Sequence, residues 1–247
     1  MKKILSVALI MFGFVMAQGF SELIDQADAK YDVDDFSGTH ELLQQAQVLE
    51  PDNFEVIWRL ARVHFDFSDN SADEAVISEN LYSGLEYAKT ALELDESRVE
   101  SHKWYGILIG RVGEMEGTKQ KIINSYEVRD HTVRAIELDP TDDGLYNVMG
   151  QWHYAIAELS WVMRKFAATF FATPPKGSFE ESRDYFAKAT ELAPDGVRNF
   201  VWLGKANEKL DDTEAAKNAY NDALAITAGN DSERLLQEEA QQLLSDL

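Results

Sequence analysis

The chain contains no cysteine among its 247 residues. Disulfides, thiol nucleophiles and thiolate metal sites are thereby excluded. Proline is also scarce, at five, while aromatic residues make up 11%. That balance argues for a packed chain and against disorder. Basic side chains are outnumbered, with 23 Lys and Arg against 44 Asp and Glu for a formal net charge of −21. Such a surface repels nucleic acid or an anionic membrane over most of its extent, so nucleic acid is disfavoured as a partner unless basic residues cluster.

Catalytic signatures are missing as well. There is no glycine-rich phosphate loop and no G-x-S-x-G. The histidines His40, His64, His102, His131 and His153 stand apart, with no pair at i, i+4 around a glutamate, and each is expected to be a packed or surface residue. Asp66–Asp73 is acidic like a calcium loop but lacks the glycine at its sixth position and the glutamate at its twelfth. No enzyme, metal or cofactor is expected.

Lys2 and Lys3 precede an apolar run over 4–16, shorter than the roughly 18 residues a membrane span needs. With Val15-Met16-Ala17 following, this layout reads as a secretory signal peptide cleaved after Ala17. Residues 18–247 would then be a periplasmic or secreted domain, an uncleaved N-terminal anchor being the alternative.

What the chain does have is a repeat. AQVLEPDN (46–53), ALELDESR (91–98), AIELDPTDD (135–143) and ATELAPDG (189–196) echo one another. Each is followed by a small residue inside an aromatic-rich segment, namely Ala61, Gly106, Gly150 and Gly204. Small residues there let the two helices of a pair approach closely, and the second helix is expected to supply its own at Ala46, Ala91, Ala135, Ala189 and Ala223. Ala27–Ala46 and Gly204–Ala223 are both 19 apart, whereas the central pairs are stretched to 30, 29 and 39.

The extra residues are insertions, which in repeat proteins often mark the binding face. The first, at 66–75, reads as loop. The second reads as a turn through Gly113 and Gly117 before a long helix. The third is QWHYAIAELSWVMRKFAATFFATPP (151–175), whose Trp152, Ile156, Leu159, Met163, Phe166 and Phe170 share one helix face and predict one unbroken helix of up to about 40 Å. A terminal segment after Gly229-Asn230 predicts a capping helix, with Ser232 as its cap and Leu235, Leu236, Leu243 and Leu244 inside. The fold expected is all-α, a tetratricopeptide-like right-handed array of about five helix pairs with extended central repeats and a C-terminal capping helix.

Lys103–Leu108 with Gly113–Lys119, and Gly150–Ala157 with Thr173–Lys176, are more specific than a generic repeat. In these blocks the chain resembles the regulator of microtubule dynamics family of tetratricopeptide-like proteins, over roughly residues 22–245. The resemblance implies a non-enzymatic helical array that associates with other proteins and with membranes. With its export-type start, the chain is expected to be an exported bacterial relative.

The groove of such an array is lined by the first helix of each pair. Counting from the small-residue landmarks gives Tyr31; Trp58, Arg62 and Phe65; Lys103, Ile107 and Arg111; Gln151 and Tyr154; and Lys205. Aromatic and basic residues alternate there, which favours an anionic or carboxylate-bearing ligand unless the cations pair with Glu55, Glu100 and Glu208. The insertion either extends the core or closes the groove with a pocket of Trp161, Arg164, Lys165, Phe166, Phe170 and Phe171. The leading functional expectation is a protein-protein interaction adaptor with an unidentified protein or peptide partner. The alternative is a carrier of an apolar, acyl or lipid-like ligand, and peripheral membrane contact is a further expectation.

Overall fold

The computed structural model describes residues 19–170 and 173–247. The proposed signal segment and Phe171 lie outside the described residues. Twelve helices, and no strand, make up the described chain: α1 (Phe20–Tyr31), α2 (Phe36–Leu49), α3 (Phe54–Asp69), α4 (Glu74–Leu94), α5 (Val99–Glu116), α6 (Thr118–Leu138), α7 (Asp143–Glu158), α8 (Trp161–Phe170), α9 (Phe179–Leu192), α10 (Val197–Lys209), α11 (Thr213–Ala225) and α12 (Asp231–Asp246). They form two compact units with a boundary at Leu108/Ile109, inside α5.

In the first unit α1 pairs with α2 and α3 with α4, and α2 also packs on α3. Leu23, Leu43, Val56, Leu60 and Val63 are fully buried between them, flanked by Phe20, Phe36, Phe67 and Tyr87. In the second unit α7 pairs with α9, α10 with α11, and α12 covers both members of the last pair. Val197, Val201, Tyr220 and Ala240 form its terminal core, joined by Leu236, Leu243 and Leu244. Leu235 is not part of it, being 65% exposed.

Local chemistry explains the boundaries. Asp35, Asn53, Asp73, Ser178, Asp212 and Asn230 each accept a backbone N–H of the first helical turn with the side chain, the preferred means of satisfying donors that a helix start leaves open. Asn230, rather than Ser232, therefore caps α12 through Glu233 N at 2.9 Å. The two repeats of standard length share a turn. In each, an aspartate with φ near 58°, Asp34 or Asp211, precedes the capping aspartate; Asp is among the few residues that visit this left-handed region readily.

The small-residue landmarks are buried, with Ala27, Ala46, Ala61, Ala91, Ala135, Ala189 and Ala223 fully inaccessible. The glycines among them do not simply meet another small residue. A β-carbon on Gly150 would fall 2.5 Å from Phe186 Cε1, and one on Gly204 would overlap the ring of Tyr220. The contact is an aromatic knob in a glycine hole.

The insertions take three forms. The first is mostly helix, since α3 runs to Asp69 and α4 begins at Glu74, leaving only 70–73 as loop. In the second, Gly113 lies within α5 and the turn rests on Gly117 alone, at φ 95°. The third is not one helix. It breaks at Leu159–Ser160, where Leu159 is extended and Ser160 Oγ accepts Met163 N–H at 3.2 Å.

Candidate functional site

In the first unit the candidate face is built from α1 and α3. Arg59 grips Asp28 with Nε and Nη2 at 2.8 and 2.7 Å, and reaches Glu55 with Nη1 at 2.7 Å. Burial alone would raise the Asp28 carboxyl, but the Arg59 hydrogen bonds and charge hold it below the usual carboxylate range. One turn on, the Arg62 guanidinium lies 3.4 Å from the centre of the Tyr31 ring and 5.0 Å from that of Trp58. Below it Asp66 accepts from Tyr31; burial pushes the Asp66 carboxyl up to about 6 and raises the Tyr31 hydroxyl strongly. Phe65 packs on Trp104 at 5.8 Å, and the Lys103 ammonium lies 5.8 Å from the same indole. Ile107 is half-buried.

The second unit has an open pocket of about 460 Å³ lined by Tyr154, Glu158, Trp202, Lys205, Glu208, Lys209 and Leu243, from α7, α10 and α12. Tyr154 meets Trp202 edge-on at 5.5 Å, and Phe186 stacks on Trp202 from behind at 5.7 Å. Lys205 lies 4.4 Å over Trp202 and pairs with Glu239 at 2.7 Å. Lys209 pairs with Glu158 at 2.7 Å. Burial raises the Tyr154 hydroxyl, opposed by Lys209. Towards the start of α7 a chain of amides crosses to α10: Gln151 donates to Asn147 at 2.6 Å, Asn147 to Asn199 at 2.8 Å, and Asn199 to Asp143 at 2.7 Å. Arg111, on α5, lies 3.8 Å from Glu114.

The insertion divides in two. Trp152 and Ile156, on α7, are core. Arg164 spends its guanidinium on carbonyls at the end of α7, donating to Ile156 O and Leu159 O, and to Pro175 O across the loop. Pro174 and Pro175 are buried, and Tyr126 donates to Thr173 O at 2.5 Å. Of α8 only Ala167 is buried; Trp161, Val162, Phe166 and Phe170 are 68, 65, 47 and 66% exposed, and Lys165 lies 4.4 Å over Trp161. The expected insertion pocket does not form from these side chains, because the break after Leu159 turns the second half of the stripe outward.

Tyr31, Trp58 and Arg62 thus come together, as do Tyr154 and Lys205. Most of the cations are internally paired, though with partners other than those expected. Arg98 takes Glu55 and Glu100 at 3.2 Å each, while Glu208 accepts from Tyr220. Trp202 and Lys209 were missed although they lie three before and four after Lys205, on its helix face. The Arg59–Asp28 link had no local sequence signal, the two being 31 residues apart. Three histidines have close partners: His40 and His64 meet edge-to-face at 5.2 Å beside Phe67, and His153 stacks on Tyr185 at 5.2 Å with Nδ1 3.2 Å from Glu181; burial lowers the pKa of all three.

Paired helices with glycine holes, aspartate-capped turns and a polar terminal helix define a tetratricopeptide-like helical array. Among solved structures, a thermophilic tetratricopeptide-repeat protein of Thermus thermophilus is similar, with a TM-score of 0.67 at 12% identity over 91% of this chain and all of that one. MamA from Desulfovibrio magneticus is similar with a TM-score of 0.53 at 11% identity, over 90% of this chain and 96% of that one. These likenesses concern the fold. The family model for regulator of microtubule dynamics protein 1-3 matches residues 23–247, and the chain belongs to that family. It is 36% identical to regulator of microtubule dynamics protein 1 of Bos taurus, over 98% of this chain and 76% of the relative, and 38% identical to that of Mus musculus, over 92 and 74%. The human protein of the same name is 40% identical over 76% of this chain and 60% of its own length. Relatives of this kind overturn the expectation of an exported bacterial chain in the periplasm or outside the cell: the similar curated proteins are eukaryotic, those of Bos taurus, Mus musculus and Homo sapiens among them.

Proposed function

We propose that the chain is a non-enzymatic adaptor that holds a segment of a protein partner, with the Tyr154–Trp202 pocket of the second unit receiving an acidic or carboxylate-bearing side chain. The observation that carries this reading is the state of Lys209 in that pocket. The Lys209–Glu158 side chains are 40 and 46% exposed, and an ion pair so open to water contributes no more than about 1 kcal/mol. A ligand carboxylate can displace Glu158 at little cost while its neighbouring atoms pack on Tyr154 and Trp202. Arg59 in the first unit is different: its side chain is 12% exposed and gripped by two acids, so breaking that contact strands a largely buried charge. Support for an acyl-ligand carrier is weaker, because Trp161, Phe166 and Phe170 are exposed. The relatives' name describes regulation of microtubule dynamics; this reading extends to the chain a share in such regulation through a held protein segment.

The test is peptide selection against the purified protein from a random displayed library. Enriched peptides are expected to carry Asp, Glu or a free C-terminus, and to lose about tenfold in affinity in Lys209→Glu, whose fold is checked by circular dichroism. Enrichment of no peptide, or peptides indifferent to Lys209→Glu, refutes the proposal.

A further inference from the structure

The apolar face of α8 serves neither the core nor the pocket. On a helix advancing 100° per residue, Trp161, Lys165, Val162, Phe166 and Phe170 sweep roughly half the circumference. The apolar members of this arc are all exposed. The helix is nonetheless tethered through Arg164, which donates to the α7 carbonyls and to Pro175 O. A convex arc of four exposed apolar side chains, with Lys165 beside Trp161, fits a deformable plane better than a preformed groove.

Charge selects the plane. Between Glu158 and Glu180 the chain carries Arg164, Lys165 and Lys176 and no acid, in a protein of net charge −21. At physiological ionic strength charges farther than about 8 Å from a surface are largely screened. A membrane touching α8 therefore meets this cationic stretch rather than the acidic total. Among the described residues no helix is long and apolar enough to cross a membrane, and α8, about 15 Å long, has the length of an element that lies in the interface.

We propose that α8 is a peripheral membrane-docking element that inserts Trp161, Val162, Phe166 and Phe170 among the headgroups of an anionic lipid bilayer, with Lys165 and Lys176 on the lipid phosphates. Tryptophan and phenylalanine on one face with lysine at its border are the composition of interfacial helices, and each cation near such a surface adds to the attraction.

Absence of cysteine makes the test clean. A single cysteine placed at Val162 carries an environment-sensitive fluorophore, and one at Val48, 73% exposed on α2, serves as control. With vesicles of phosphatidylcholine and phosphatidylserine the Val162→Cys label is expected to shift to the blue and the Val48→Cys label to stay unchanged. Flotation with the same vesicles is expected to fall about tenfold in Phe166→Ser/Phe170→Ser, and separately in Lys165→Glu/Lys176→Glu. All four positions are exposed, and unchanged thermal melting of the variants confirms that folding is not the cause. Equal flotation of wild type and variants, or a Val162→Cys label insensitive to vesicles, overturns the proposal. So does concentration-dependent self-association in sedimentation that the two serines abolish while vesicles bind nothing.

Discussion

At Gly204 a β-carbon would collide with the Tyr220 ring, and at Gly150 with that of Phe186. Both rings are fully buried, so neither can swing away. Gly204→Ala and Gly150→Ala are each expected to destabilise by about 1–3 kcal/mol despite alanine's better helix propensity. Gly110→Ala, whose β-carbon would meet only Val128 Cγ2 at 3.2 Å, is the control expected to stay near neutral in thermal melts. These glycines were legible in the sequence because each sits inside an aromatic-rich segment. The ring filling each hole was not, since nothing local ties position 150 to 186. Asp66 was likewise read only as part of an acidic run. With its carboxyl raised by burial from 3.8 to about 6, the folded chain binds more protons than the unfolded one between those values. Stability attributable to Asp66 therefore falls as pH rises from about 4 to about 6 and stays flat above. Asp66→Asn, which keeps an acceptor for Tyr31, is expected to remove that slope and raise stability near neutral pH by up to about 3 kcal/mol. Urea titrations at about pH 4 and about pH 7 check it; an unchanged slope assigns the raised pKa elsewhere.

Among the elements, the α7–α8 junction departs furthest from expectation. The stripe from Trp152 to Phe170 keeps helical spacing throughout, so periodicity alone predicts continuity. Ser160 was the overlooked signal, a helix-start residue in the middle of the pattern whose hydroxyl takes Met163 N–H. Arg164 looked like a site for a ligand anion because it is one of the few cations in its neighbourhood. Three backbone carbonyls claim it instead. Arg164→Ala leaves those carbonyls without their donor, at a cost of about 1–3 kcal/mol. Hydrogen exchange is expected to quicken over 160–176 while α1–α4 keep their rates. Arg164→Lys, lacking the fork that serves several acceptors at once, is expected to restore only part of the protection.

For the molecule as a whole, stability in a repeat array is close to a sum of neighbour contacts. Truncation before Asp231 removes α12 and uncovers the side of α10 and α11 on which Ala240, Leu236 and Leu243 rest. Amide protection is expected to fall most in α10 and α11, less in α7 and α9, and not in α1–α4; a uniform fall along the chain would mean that the repeats unfold as one block. Five pairs and a cap were legible because the loop echoes and small residues recur locally. The ion-pair network of Arg59, Asp28, Glu55 and Arg98 was not, since its links join residues 31 and 43 apart.

The amide chain on α7 and α10 has a direction. Asp143, when ionised, only accepts, so Asn199 must turn its nitrogen towards it and its oxygen towards Asn147, and the same choice passes on to Gln151. That carboxylate, with the Ala189 carbonyl that the same nitrogen reaches at 3.4 Å, orients three amides, and the far end presents the Gln151 oxygen together with the second N–H of its amide. The row ends in one acceptor and one donor, so its direction does not choose between a visiting N–H and a visiting carbonyl. Asp143→Asn would leave Asn199 oriented by the Ala189 carbonyl alone, and the direction of the row would rest on that one longer contact.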